Sequence, residues 1–165
     1  MSARSLAFGL LMLMTAASGA PSPREEHGSA DVYAAPGVVL AWAVLRGASE
    51  AATSVVIRIA TDPQVYPWVA VAGIDPFTKA EQPLRQAAPV TGTLDVQIPR
   101  SRFADLPRTE LRFYDTAAAA QSAAPVLTVF YLGIPDTAPE FSDKTGLDAY
   151  LADRIVRAHA EKKSP

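Results

Sequence analysis

The sequence predicts a mainly β protein, an antiparallel β-sandwich with one C-terminal amphipathic α-helix packed on one sheet. Short apolar runs separated by turn-forming residues fill the middle of the chain, which is typical of sandwiches and not of βαβ units. Near the C-terminus the apolar spacing changes from two residues to that of a helix. Two strands are apolar on both faces, so a further layer must cover them.

Six segments have strand character. In "SVVIRIA", Val55, Ile57 and Ile59 share one face and alternate with Val56 and Arg58 on the other, so one face is buried. A seventh, edge strand around residue 33 has its pairing limited by the proline at 36. The alanine-rich stretch 116–124 is predicted as a connection with room for one helical turn. The six predicted strands cover residues 37–45, 54–60, 67–74, 94–98, 111–114 and 126–134.

The segment "IPRSRFADLPRTELRFY" is interpreted as a strand end, a turn with Phe103 and Leu106 as apolar plugs, and a new strand with outward charges. It resembles the connection that ends in a tyrosine-bearing strand in immunoglobulin-like sandwiches, with Tyr114 at that position. The resemblance is one of architecture, and it implies an immunoglobulin-like β-sandwich over residues 37–134.

The C-terminal segment 146–162 is predicted as the amphipathic helix, preceded by a loop over 135–145. Thr145 and Asp148 stand in capping-box positions. Arg154 falls within the apolar stripe, where it must either extend its charged end to water or find a carboxylate partner. The helix should cover the outer side of one sheet. The apolar stripe consists of Leu147, Tyr150, Leu151, Ile155 and Ala158.

The first twenty residues have the three parts of a secretory signal peptide. Arg4 is followed by an apolar run over 6–14 and by small residues over 15–20. The run is shorter than the ~18 residues of a membrane span, and no cysteine follows it to carry a lipid anchor. We therefore expect an exported protein, periplasmic or secreted, that is cleaved between Ala17 and Ala20. Residues 21–36 are predicted to be a flexible mature N-terminus.

The amino-acid composition limits the kinds of metal, cofactor and nucleic-acid sites that the mature chain can form. The chain has no cysteine, and its three methionines all lie in the leader, so copper and iron–sulfur sites lack their soft ligands. His27 and His159 are the two histidines, too few and too distant for a zinc site. The formal net charge of −2 argues against binding nucleic acid or anionic lipid. We expect no metal and no cofactor.

The stretch "VYPWVAVAGIDPFTK", residues 65–79, concentrates aromatic residues. Trp68 heads an apolar face that continues to Ile74, so we expect its ring in the sheet core. Tyr66 and Phe77 lie in the flanking loops, at opposite ends of the strand. Two rings ~30 Å apart, at a rise of ~3.3 Å per residue, do not form one ligand site.

Function is open at this stage among three classes. No GxSxG, HExxH, phosphate-loop or dinucleotide motif is present, so the first hypothesis is a non-enzymatic exported protein that binds another exported protein. It could be an accessory or small subunit of a periplasmic complex, with Arg108 and Arg112 as candidate contacts. The first alternative is a carbohydrate- or small-ligand-binding module that uses Tyr66 and Phe77. The second alternative is a carboxylate-based hydrolase, for which Asp105 and Glu110 are candidate paired carboxylates.

Overall fold

A computed structural model describes residues 24–161 and shows two five-stranded sheets packed face to face. The predicted signal peptide and its cleavage site lie outside the described residues. The helices are the 3₁₀ turn Glu50–Ala52, α1 (Arg102–Asp105), α2 (Ala117–Gln121) and α3 (Lys144–Glu161). The strands are β1 (Arg24–His27), β2 (Val32–Ala35), β3 (Val38–Leu45), β4 (Ser54–Thr61), β5 (Trp68–Ile74), β6 (Glu81–Pro89), β7 (Thr93–Pro99), β8 (Arg108–Tyr114), β9 (Leu127–Leu132) and β10 (Glu140–Phe141).

The front sheet has the strand order β1-β9-β8-β5-β6, and the back sheet has the order β10-β3-β4-β7 with β2 also paired to β3. The mainly β sandwich is therefore confirmed, and the strand order is consistent with an immunoglobulin-like arrangement. The sandwich is not wholly antiparallel, however. The pairs β1–β9 and β10–β3 are parallel, because β1 and β10 reach their partners after long connections and not through hairpins.

The core between the sheets is built on Trp42, Phe113 and Tyr131, three of its largest fully buried side chains. The prediction that Trp68 lies in this core is wrong. Its face of β5 is the outer one, and Val69 and Val71 point inward instead. The predicted alternation of residues along β5 was right, but the face assigned to the core was the wrong one. Both faces of this strand carry apolar residues, and the two-residue period alone does not say which face is buried.

The set of strands predicted from the sequence was incomplete at the edges of the two sheets. Residues 24–27 form β1 and residues 32–35 form β2, so the prediction of a flexible terminus over 21–36 is wrong for them, whereas β2 confirms the seventh, edge strand predicted around residue 33. The loop predicted over 135–145 contains β10. The strand β6 was missed altogether. Pairing with a neighbouring strand orders these edge segments, whose own sequences are charged, short or proline-containing.

The helix α3 packs on the outer face of the back sheet, as predicted. Leu147, Leu151, Ile155 and Ala158 are buried against the outward residues of β3 and β4. The helix begins at Lys144, and Asp143 caps it by accepting a 2.7 Å hydrogen bond from the Gly146 N–H. The proposed capping box of Thr145 and Asp148 is therefore wrong. Arg154 does meet a carboxylate, 3.8 Å away on Asp31.

Candidate partner-binding surface

The two outer faces of the sandwich differ. On the back sheet, α3 buries Val39, Ala41 and Ala43 of β3 beneath it. Over residues 24–161, no other helix is longer than five residues, so the outer face of the front sheet has no comparable cover. This front face is where β8 projects the two arginines singled out from the sequence, Arg108 and Arg112, whose side chains are 26% and 20% exposed.

A ladder of alternating charges crosses the front face. Along β8, Glu110 lies between Arg108, at 2.8 Å, and Arg112, at 2.7 Å. Arg112 continues the ladder to Glu81 on β6, with two hydrogen bonds of 2.8 and 2.9 Å. The hydrogen bonds that Arg112 donates to Glu81, followed by those that it donates to Glu110, raise the pKa of Arg112 above its ordinary value. The four groups balance in formal charge and hold one another extended across the sheet.

The charge ladder covers a small apolar surface on the outer face of β5. Ala72 pairs with Glu110, and Ile74 pairs with Arg108. Both apolar residues are buried although they belong to the outer face. Long side chains commonly lay their hydrocarbon stems over apolar surface while their charged ends reach water. The charged side chains of β8 thus cover this part of the front sheet, as α3 covers the back sheet.

Aromatic and aliphatic groups lie beside the ladder on β9. The ring of Phe130 lies 4.2 Å from the guanidinium carbon of Arg108, in cation–π geometry. On its other neighbour strand it meets His27, with ring centroids 4.8 Å apart. Leu132 pairs with Arg108 in the strand register and is 63% exposed. Together these residues form an apolar end of the front face.

The two candidate ligand aromatics lie apart. Tyr66 precedes β5 and packs on Phe113 of the core, with ring centroids 5.6 Å apart. Phe77 follows β5 at the tip of the β5–β6 hairpin and is 93% exposed. Its turn is ordered by Asp75, whose carboxylate accepts hydrogen bonds from the Phe77 and Thr78 N–H groups. Those bonds lower the pKa of Asp75. The structure does not bring Tyr66 and Phe77 together.

The candidate hydrolase carboxylates are likewise not arranged as a pair. Asp105 is exposed at the end of α1, whereas Glu110 accepts hydrogen bonds from Arg112 on the front face. Among residues 24–161, no three His, Cys, Asp or Glu side chains are grouped to hold a metal ion.

Sequence reasoning singled out Arg108 and Arg112 but missed their neighbours Glu81, Phe130 and Leu132. The alternation of "LTVFYL" was the available signal, because it places Phe130 and Leu132 on one face. Glu81 gave no signal, since β6 itself was missed. Its role follows from the pairing of β6 with β5.

Comparisons with protein-family models, curated proteins and solved structures find no match to this chain. Within the part of the chain that the structure describes, no helix has the length and apolar character needed to cross a membrane.

Proposed function

We propose that this chain is an exported, non-enzymatic protein that binds another exported protein through the outer face of its front sheet. One observation carries the proposal. The back sheet is covered by the chain's own helix, whereas the front sheet presents Arg108, Arg112, Phe130 and Leu132 without such a cover. Arginine and aromatic residues are enriched in protein interfaces and supply many of their energetic anchors.

The ladder suits these arginines to recognition. Because Glu110 and Glu81 already hold the guanidinium groups in place, little side-chain freedom remains to be lost when a partner binds. Leu132 and the edge of Phe130 supply apolar area next to the charges. A partner that offers an apolar group for Leu132 and acceptors near the arginines fits this surface.

Site-specific photo-crosslinking in the host cell tests the proposal. One chain carries a photoreactive amino acid at Leu132, and a matched chain carries it at Arg157, whose side chain is 66% exposed on α3. We expect a discrete crosslinked product at Leu132 and none at Arg157. The substitution Arg112→Ala should weaken that product, whereas Arg157→Ala on the helix should leave it unchanged.

Equal crosslinking at the two positions, or none at Leu132, would contradict the proposal. Localisation is tested in the same cells, by fractionation and by mass spectrometry of the mature chain. A mature protein that retains Met12 would contradict export with cleavage of the leader.

A further inference from the structure

The strand β7 forms a regular, open edge of the back sheet. It pairs with β4 in an unbroken antiparallel register from Ala60↔Thr93 to Ser54↔Pro99. The residues Thr93, Asp95 and Gln97 are exposed. The side of β7 away from β4 has no strand partner in the described sheet.

The register shows which backbone groups point outward. The Thr61 N–H donates to the Gly92 carbonyl at one end of the β4–β7 pairing, and the Arg100 N–H donates to the Thr53 carbonyl at the other end. Each of these is therefore a hydrogen-bonded pair of the two strands. In antiparallel sheets, hydrogen-bonded pairs alternate with pairs that are not hydrogen-bonded. Residues 94, 96 and 98 of β7 therefore make the hydrogen bonds to β4. The N–H and C=O groups of residues 93, 95 and 97 therefore point away from the sheet, in the pattern that an added strand requires.

The other edges of the sandwich are blunted. The strand β6 contains Pro83 and Pro89, and its register with β5 is irregular. The strands β1 and β2 have four residues each, and β10 has two. Prolines, bulges and short lengths are the usual protections against strand addition. Within residues 24–161, only β7 is an edge that is long, regular and free of interior proline.

An apolar cleft adjoins this edge on the helix side. It has a volume of about 280 Å³ and is lined by Thr93, Arg58 and the α3 residues Ala152, Ile155 and Val156. Val156 is 66% exposed there. Arg58, which lines the cleft, is fixed by hydrogen bonds to Asp95, at 2.6 and 2.7 Å, and to Asp148. A side chain that projects from an added strand toward the helix side would enter this cleft.

We propose that β7 is a second binding site, which takes an extended peptide segment of another protein by strand addition. The backbone groups of residues 93, 95 and 97 supply the hydrogen bonds. The cleft between β7 and α3 accepts an apolar side chain of the segment, which gives the site its selectivity. This site is independent of the front face, which lies on the opposite sheet.

A second copy of the chain is the less suitable occupant. In an antiparallel pairing of two β7 strands, the register that uses all three outward residues places Gln97 of the other copy opposite Thr93. Residues directly opposite each other share a face of the sheet, so this pairing would direct a polar side chain, and not an apolar one, toward the cleft that Thr93 lines. Registers shifted by two residues use fewer of the hydrogen-bonding groups. A heterologous segment has neither restriction.

Proline substitution provides a sharp test, because it removes only an outward-facing donor. Gln97→Pro keeps the bonds of Val96 and Ile98 to β4, and Gln97→Ala is the matched control that keeps the N–H. Thr93→Pro and Thr93→Ala form a second pair at the strand start, where proline is best tolerated. Circular dichroism and thermal melting establish that each variant is folded.

The probe is a displayed library of random peptides long enough to pair with all of β7, selected on the wild-type protein. The best synthetic peptide should bind wild type and Gln97→Ala within about twofold. It should lose roughly tenfold or more with Gln97→Pro, since one lost hydrogen bond and a steric clash correspond to at least that factor. Val156→Asp should also weaken it, and amide exchange at residues 93, 95 and 97 should slow on binding.

Three results would overturn the inference. The first is that no peptide is selected above the background of the folded proline variants. The second is a peptide that binds the proline variants as well as wild type. The third is self-association that Gln97→Pro abolishes, which would make a second copy the occupant.

Discussion

The hydroxyl of Tyr150 on α3 donates a hydrogen bond of 2.5 Å to the carboxylate of Asp31, the residue that precedes β2. The other oxygen of Asp31 accepts a 2.9 Å bond from Thr137, in the connection after β9. Burial, followed by the bond to Asp31, raises the pKa of Tyr150 to about 12. One buried carboxylate thus joins the N-terminal edge, a loop and the C-terminal helix, and fixes the helix on the back sheet.

The substitution Tyr150→Phe should lower the free energy of unfolding by about 1–2 kcal/mol, because it removes a hydrogen bond to a charged group. Urea unfolding measures the change. The matched control is Tyr114→Phe, since the Tyr114 hydroxyl has no hydrogen bond to a described side chain, and there we expect a change below about 0.5 kcal/mol. Equal effects of the two substitutions would show that the Asp31 bond does not hold the helix.

The two tryptophans should differ in their contribution to stability. Trp42 is fully buried between the sheets, so Trp42→Ala should cost ~3–5 kcal/mol. Trp68 is only partly buried on the outer face of β5, and Trp68→Ala should cost clearly less. Urea unfolding of both variants compares them. A larger loss for Trp68→Ala would restore the orientation of β5 that the sequence suggested.

Acid should weaken the link between the helix and the sheet. Hydrogen bonds from Lys144, followed by those from Arg58, lower the pKa of Asp148 below its unfolded value of 3.8. A carboxylate with a lowered folded pKa stabilises the protein above the unfolded value and loses that effect as the pH falls through the folded value. The Tm advantage of wild type over Asp148→Asn should therefore be present at neutral pH and vanish in acid. An advantage that is unchanged across this range would exclude the effect.

The sequence predicted the parts of the fold that carry a repeated pattern. The alternation in β4 and the helical spacing of Leu147, Leu151 and Ile155 are each set by burial on one side, and burial leaves a periodic trace. The doubly apolar β3 correctly indicated a covering layer, but the same expectation for residues 126–134 is wrong, because β9 lies in the front sheet and α3 packs on the back sheet. The inward residues of β3, Leu40 among them, fill the core, while Ala41 lies under α3.

The missed elements are those that tertiary pairing stabilises. The strand β6 tolerates Pro83 and Pro89 because it is an edge strand, where an N–H can face away from the sheet. The strand β2, in contrast, was predicted as an edge strand around residue 33, and Pro36 and Gly37 suit the tight turn that follows it. Gly37 has φ +80°, a conformation that glycine adopts without steric cost.

Only part of the candidate site could be predicted from the sequence. Arg108 and Arg112 stood out as outward charges on a strand. Their partner Glu81 lies 31 positions from Arg112 in the chain, and Phe130 joins Arg108 only through the β8–β9 register. Such neighbours depend on the order of strands in the sheet, which no local pattern specifies.

Hydrogen exchange of the isolated protein tests most directly the central claim, that the chain fills the outer face of its back sheet with its own helix and leaves the front face for a partner. The amides of residues 147–156 should exchange as slowly as those of β3, since Leu147 and Leu151 are fully buried against that sheet. If these amides exchange as fast as those of a free peptide and slow only when another protein is added, the helix is itself the binding element. The central claim would then be contradicted.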